Sequence, residues 1–377
     1  MKRVIPLFLT LILLSGCWDR QEIEEIGFVM GVGLDPADEN MFESTFQIAI
    51  PGQLVRQPST NSSNTEPFLN VSTIGKTNFK NVRQIASMRS RTLNFNHLKI
   101  IVINTELLEL GLIKQLSDFF IRDHEMRRKT LILASNDPVK ELLQNKLPLE
   151  NYKAMSIEMI QNNYRRVSSM PKMMSVGDIS RYISKDTGYI MPLISSLDDK
   201  YLVIEGGAVI NGKDKLVGLL KPTEIEAYNW VIGETNQSIT EVNTEDDEIF
   251  VYESQKMASY ISYERKNDEN IFNITIKTEG SVGESWLNQN HLSDNKVLIK
   301  IQKLIEQKIE EDATEIVKTM QDEYSTDVFG FGEIIKSKKH KYWDEIKDNW
   351  EGEDSYFSKA KVVINAEVQV RHYMTTE

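Results

Sequence analysis

The sequence predicts a mixed α/β protein (α+β in character) of several mixed-sheet domains, each packed with helices, behind a lipoprotein signal peptide. Three observations carry this reading. Apolar runs of strand length alternate with helix-period stripes through the first half, which favours an α/β layer. After Tyr201 the pattern changes to strand, turn, strand, and then one long helical stripe runs from Leu298 to Tyr324. At ~100 to 200 residues per domain, the chain after Cys17 holds two or three domains. The division expected is a leader at 1–16, an N-terminal α/β domain at 17–197 and a C-terminal α/β domain at 198–377, with a subdivision near residue 240 left open.

The leader has the charged, apolar and small-residue zones of an export signal: Lys2 and Arg3, then Val4 to Leu14, then Ser15-Gly16-Cys17. This apolar run is interrupted by Pro6 and is too short to span a bilayer, which needs roughly 20 apolar residues. A small-small-Cys stop marks lipoprotein cleavage, with Cys17 as mature N-terminus carrying a diacylglycerol thioether. One acyl chain holds a protein to a membrane only marginally, whereas two give stable anchoring. The alternatives are an ordinary cleaved secretory signal or a buried N-terminal helix.

Trp18 to Ile26 read as a short charged helix or turn, Phe28 to Leu34 as a buried strand, and Met41 to Ile50 as its antiparallel return. Residues 53–67 are rich in Ser, Thr, Asn and Pro without apolar periodicity, which predicts a loop. A strand follows at Phe68 to Ile74, then a helix carrying Phe79, Val82, Ile85, Ala86 and Arg89, and an apolar strand at Leu98 to Ile103. Thr105 is expected to cap one helix whose stripe runs from Leu107 to Phe120, ahead of a strand at Thr130 to Ala134. Asp137-Pro138 opens another helix, and Tyr152 to Tyr164 and Val176 to Ile183 read as helical.

In the second half, Leu202 to Ile210 and Lys215 to Leu219 flank Asn211-Gly212-Lys213-Asp214, a hairpin signal because Asn and Gly tolerate positive φ. A helix follows Pro222, then strands at Ile249 to Tyr263 and Asn270 to Thr278. Leu298, Ile301, Ile305, Ile309, Ala313, Ile316, Met320 and Tyr324 define one apolar helix face, for which packing across a sheet is preferred to a coiled-coil dimer. A strand at Ala360 to Tyr373 ends the chain.

The composition is 27% charged and 40% hydrophobic, and loss of Lys2 and Arg3 with the leader would take the formal charge from -12 to -14. So acidic a body argues against nucleic acid as a partner and against a polybasic membrane patch. With Cys17 lipidated no thiol remains for a disulfide or a nucleophile. Enzymatic fragments fail on context. Gly75-Lys76-Thr77 lacks the earlier P-loop glycine, since position 70 is Asn70, and Gly31-Val32-Gly33 runs into Leu34-Asp35-Pro36 instead of a third glycine. His97, His124, His291, His340 and His372 show no metal-ligand spacing, and no serine stands in a nucleophile elbow. No cofactor, metal or catalytic residue is expected.

Cys17-Trp18-Asp19-Arg20 with Glu22-Ile23 and Phe28 to Asp35 resembles the mature start of the spore germination receptor C subunits, the GerC-type lipoproteins. His97 to Ile103, Gly111 and Arg122-Asp123-His124-Glu125-Met126-Arg127 are similar to that family's N-terminal domain. Asp327-Val328-Phe329-Gly330-Phe331-Gly332, with Tyr342-Trp343 and Trp350, is similar to its C-terminal domain. The resemblance implies a non-enzymatic subunit of a nutrient germinant receptor, tethered to the outer face of the spore inner membrane beside two membrane-spanning partners, the A and B subunits. It also implies several mixed α/β domains, and it makes Trp18, Asp19, Arg122, Asp123, Arg127, Phe329, Gly330, Phe331, Gly332, Trp343 and Trp350 candidates for a structural or docking role.

Elementary packing offers a simpler account of several of these. Phe329, Phe331, Trp343 and Trp350 read as core aromatics, each worth ~150 to 250 Å² of buried surface. Arg122, Asp123 and Arg127 read as an ion-pair cluster joining a helix end to a strand, and Gly330 and Gly332 as permitting a backbone conformation closed to other residues. The competing function is a solute-binding lipoprotein of a transporter, which requires two similar lobes around a cleft.

Overall fold

The computed structural model describes residues 25–50, 67–144, 152–198, 201–234, 237–244, 248–286 and 295–371. The leader, Cys17, Trp18, Asp19, His291, His372 and the expected loop at 53–67, apart from Pro67, lie outside them.

The chain opens with an antiparallel meander, β1 (Ile26–Ala37), β2 (Met41–Ala49) and β3 (Phe68–Gly75). Helix α1 (Asn78–Ala86) starts at Thr77, whose side chain accepts the Lys80 N–H, and returns the chain to β4 (Thr92–Asn94). Both β4 and β5 (Ile100–Asn104) pair parallel with β1. The run Ile100 to Ile103 is uniformly apolar because both of its faces are covered. Ile101 and Ile103 enter one core layer with α1-side and α3-side residues such as Ile85, Leu116 and Phe120, whereas Ile100 and Val102 enter the other with Val139, Leu143 and Ile157.

The single helix expected from Leu107 to Phe120 is two, α2 (Thr105–Glu109) and α3 (Ile113–Arg122), separated at Leu110-Gly111-Leu112. Nor is Thr105 the cap: Asn104 accepts the Glu106 N–H at 3.0 Å, and the Thr105 hydroxyl bonds Asn136. Next come β6 (Leu131–Ser135), α4 (Val139–Leu142), α5 (Lys153–Gln161), α6 (Val176–Lys185) and β7 (Tyr189–Ser196). The hairpin β8 (Leu202–Ile210) and β9 (Leu216–Leu220) pairs onto β7, completing a nine-stranded sheet of order β3-β2-β1-β5-β6-β7-β8-β9 with β4 beside β1. The domain boundary expected at residue 197 therefore falls inside this sheet, between β7 and β8.

Helix α7 (Pro222–Ile232) leads to the second sheet, β10 (Ile239–Asn243), β11 (Ile249–Lys266), β12 (Glu269–Ser285) and, after the helices, β13 (Lys361–Val370). Strands β4, β7 and β10 were not expected: β4 and β10 are short, and Pro192 interrupts the apolar run of β7. Helix α8 (Asn295–Lys318) continues into a π turn at Thr319–Glu323. Its Ile301, Ile305, Ile309, Ala313 and Ile316 are buried, at about 1.5–3 kcal/mol for each isoleucine removed from water. The helix lies against the sheet, as preferred over a coiled coil. Glu310 and Glu306 accept the Ala366 and Val368 N–H groups of β13 at 2.8 and 3.1 Å, which blunts an edge strand. Helices α9 (Phe331–Lys338) and α10 (His340–Ile346) close the second unit, whose core is continuous with α7 and with Ile190 and Val209 of the first sheet. No helix among the described residues is long and apolar enough to cross a membrane.

Candidate functional site

The segment from Asp327 to Glu351 gathers six of the candidate residues around one carboxylate. Asp327 is buried, and its Oδ1 accepts the N–H groups of Phe329, Gly330 and Phe331 at 3.2, 2.9 and 3.1 Å. Its Oδ2 accepts the Gly332 N–H at 2.7 Å and the Trp350 indole N–H at 2.9 Å. The first turn of α9 exposes donors without helical partners, and this carboxylate satisfies them and complements the positive end of the helix. Burial pushes the Asp327 carboxyl up, against the pull of these donors.

Gly330 and Gly332 are required for different reasons. Gly330 has φ +78 with nothing near a would-be Cβ, so its requirement is conformational. At Gly332 a Cβ would lie 2.6 Å from the Trp343 ring and 2.9 Å from Trp350 Nε1, so the need there is space, which corrects the shared conformational explanation. Phe331 stacks on Phe272 with centroids 4.2 Å apart, Phe329 packs on Phe331, and Trp350 meets Phe357 and Trp343. Phe329, Phe331 and Trp350 are core residues, whereas Trp343 is only half-buried.

A cleft of about 910 Å³ separates this segment from α6. Arg181, Tyr182 and Lys185 line one wall and Glu333, Lys336 and Trp343 the other, and a Lys185 to Glu333 ion pair of 2.6 Å crosses between them. At the cleft's base Glu351 joins three chain segments. Its Oε1 accepts the Gly188 and Asp327 N–H groups at 3.3 and 3.1 Å, and its Oε2 accepts the Gly212 N–H at 3.1 Å. Gly188 precedes β7 and Gly212 lies in the β8–β9 turn, so this carboxylate fastens the second unit to the first sheet. Burial first, and the Asp327 charge second, push Glu351 up to about 7 against those backbone donors. All four oxygens of Asp327 and Glu351 are engaged by backbone or indole donors, an arrangement suited to holding chain segments. No cluster of His, Cys, Asp and Glu among the described residues could hold a metal ion.

Arg122, Asp123 and Arg127 do not form the expected cluster. Arg122 is exposed and pairs with Asp118 on its own helix at 2.7 Å, Asp123 accepts the Glu125 N–H at 2.9 Å in the following turn, and Arg127 is exposed. Asp35, from the first motif, is buried and takes the N–H groups of Val139 and Lys140 at 2.7 and 2.8 Å. Sequence reading passed over Glu351, because its partners lie 139 and 163 residues away; its only signal was its place directly after Trp350.

Comparison with known proteins accounts for these motifs. Residues 19–196 match the sequence model described as spore germination protein N-terminal domain, and residues 205–374 match that of spore germination B3/GerAC like, C-terminal. The chain belongs to the GerAC-like spore germination family. Among members of this family, spore germination protein A3 of Bacillus subtilis (strain 168) is 28% identical, over 99% of this chain and 98% of the relative. Spore germination protein B3 of the same organism is 25% identical over 94% of this chain and 92% of the relative. The crystal structure of the GerBC protein superposes with a TM-score of 0.61 at 20% identity, covering 93% of this chain and all of that one, and shares the mixed α/β fold. The Asp327 motif thus lies in the family's C-terminal region and the Arg122 turn in its N-terminal region.

Proposed function

We propose that this chain is the non-enzymatic C-type subunit of a nutrient germinant receptor. A diacylglycerol on Cys17 would hold it to the outer face of the spore inner membrane, where it acts in assembly or signalling with A-type and B-type membrane subunits. The observation that carries this reading is the end-to-end match to spore germination proteins, through two successive family regions and with near-complete coverage of both chains. The joined architecture supports it. A body whose two units are fastened by Glu351 and whose Phe329, Phe331 and Trp350 are buried is built as a scaffold, and its buried carboxylates serve backbone donors.

The test replaces Cys17. Tethering by a short linker raises local concentration to about the millimolar range, so Cys17→Ala is expected to release the protein from spore membranes and to impair nutrient-triggered germination severely. Membrane retention with normal germination would overturn the anchoring reading. The solute-binding alternative has the cleft beside α6 in its favour, but the nine-stranded and four-stranded sheets do not make two similar lobes. Calorimetric titration with amino acids, sugars and nucleosides is expected to show no saturable heat; micromolar binding would favour that alternative.

A further inference from the structure

The acidic composition conceals a basic pole. Strands β1, β4, β5 and β6 are parallel and start at one end of the sheet: Ile26 pairs with Thr92, Gly31 with Ile100, and Ile100 with Leu131. Helices α1 and α3 return the chain to that end and finish there with Arg83 and Arg122 in their last turns. The segments that cross this end add Arg89 and Arg91 before β4, Lys99 before β5, and Arg127-Arg128-Lys129 before β6. Arg122 and Lys99 have carboxylate partners, Asp118 and Glu158. Among the described residues no ion pair engages Arg89, Arg91, Arg127, Arg128 or Lys129, and all but the half-buried Arg91 are exposed. Met88, 53% exposed, stands beside them. Acids collect at the opposite end of the strands, where Asp35, Asp38, Glu39, Glu106, Glu109, Asp137 and Glu141 lie.

The chain also enters at the basic pole. Glu25 is placed there by its carbonyl, which accepts the Thr92 hydroxyl at 3.3 Å. Eight Cα-to-Cα steps join it to Cys17, a reach of at most roughly 29 Å when fully extended. The acidic pole is a further strand length away, about 40 Å for the twelve residues of β1.

We propose that the basic pole of the first sheet rests on anionic lipid headgroups, orienting the body on the membrane with β1, β4, β5 and β6 pointing away from it. This rests on the Cys17 anchoring reading. Each basic residue near an anionic surface strengthens association about fivefold. Glu25, Asp123 and Glu125 lie at the same pole and offset part of that gain. The exposed Met88 adds an apolar contact of the kind that interfacial segments use.

The only native cysteine is the lipidated Cys17, so an added one labels uniquely. Full-length lipidated protein carrying Ser90→Cys at the basic pole, or Glu109→Cys at the acidic one, is labelled with a fluorophore and mixed with phosphatidylcholine vesicles, with or without phosphatidylglycerol. The Ser90→Cys label is expected to be about fivefold less accessible to an aqueous quencher on the anionic vesicles. That protection should vanish in 1 M salt, where the Debye length is about 3 Å, and on combining Arg127→Glu, Arg128→Glu and Lys129→Glu. The Glu109→Cys label is expected to stay accessible throughout. Equal access of the Ser90→Cys label on both vesicles, or protection that survives charge reversal, overturns the proposal. Flotation with neutral vesicles separates the two readings: failure to float refutes the anchor and this proposal with it, whereas flotation with equal access refutes the surface contact alone.

Discussion

Replacing Glu351 by Gln tests whether a buried carboxylate at the junction of the two units links stability to pH. The native carboxyl is pushed from an ordinary 4.5 to about 7, chiefly by burial. The folded protein therefore binds this proton more tightly than the unfolded chain does, and stability falls as pH rises between those values. At about 1.4 kcal/mol per tenfold change in proton affinity, the full loss is about 3 kcal/mol. In Glu351→Gln the amide oxygen can still accept two of the three backbone N–H groups, and the amide nitrogen faces the third. That unmet donor costs about 1–3 kcal/mol at every pH. The variant should thus be the less stable protein at pH 5, and the difference should shrink or reverse by pH 8. Urea denaturation of both proteins at pH 5, 6, 7 and 8 reads the effect. Parallel stability curves would refute the reasoning.

Asp327→Asn turns an amide nitrogen toward the Gly332 N–H and the Trp350 indole, or toward the three donors on the other oxygen, and should cost about 2–5 kcal/mol by thermal or urea denaturation. Phe331→Ala should cost about 3–5 kcal/mol because the ring is fully buried against Phe272, with Trp343→Ala well below it because that side chain is half-exposed. Equal losses in melting experiments would contradict this ranking. Lys185→Ala breaks the ion pair across the cleft, but both partners are more than a third exposed, so a change above about 1 kcal/mol in low salt would be unexpected.

How far the fold was legible follows from the range of the forces involved. The alternating and helical periodicities at 68–74, 98–103, 202–219 and 298–324 reflect burial of one face, which neighbouring residues encode, and these elements form close to where they were expected. The break at Gly111 and the capping by Asn104 depend on local competition that the apolar stripe does not record. That one sheet runs across residue 197 was not legible, because pairing of β8 onto β7 is a contact between strands, whereas the composition changes at Tyr201.

The sequence by itself determined the alternation of strands and helices, the expectation of a lipid anchor at Cys17 and the motifs that mark the spore germination family. Each is a pattern within a few dozen residues. Only the tertiary structure decided that Phe329, Phe331 and Trp350 face inward around Asp327, that Glu351 fastens both units, and that Arg89, Arg91 and Arg127 to Lys129 share one pole. Net charge sums over the whole chain and so loses the separation of sign, whereas parallel strands bring distant segment starts to a common end. A buried carboxylate is likewise defined by donors more than a hundred residues away, and no local window contains them.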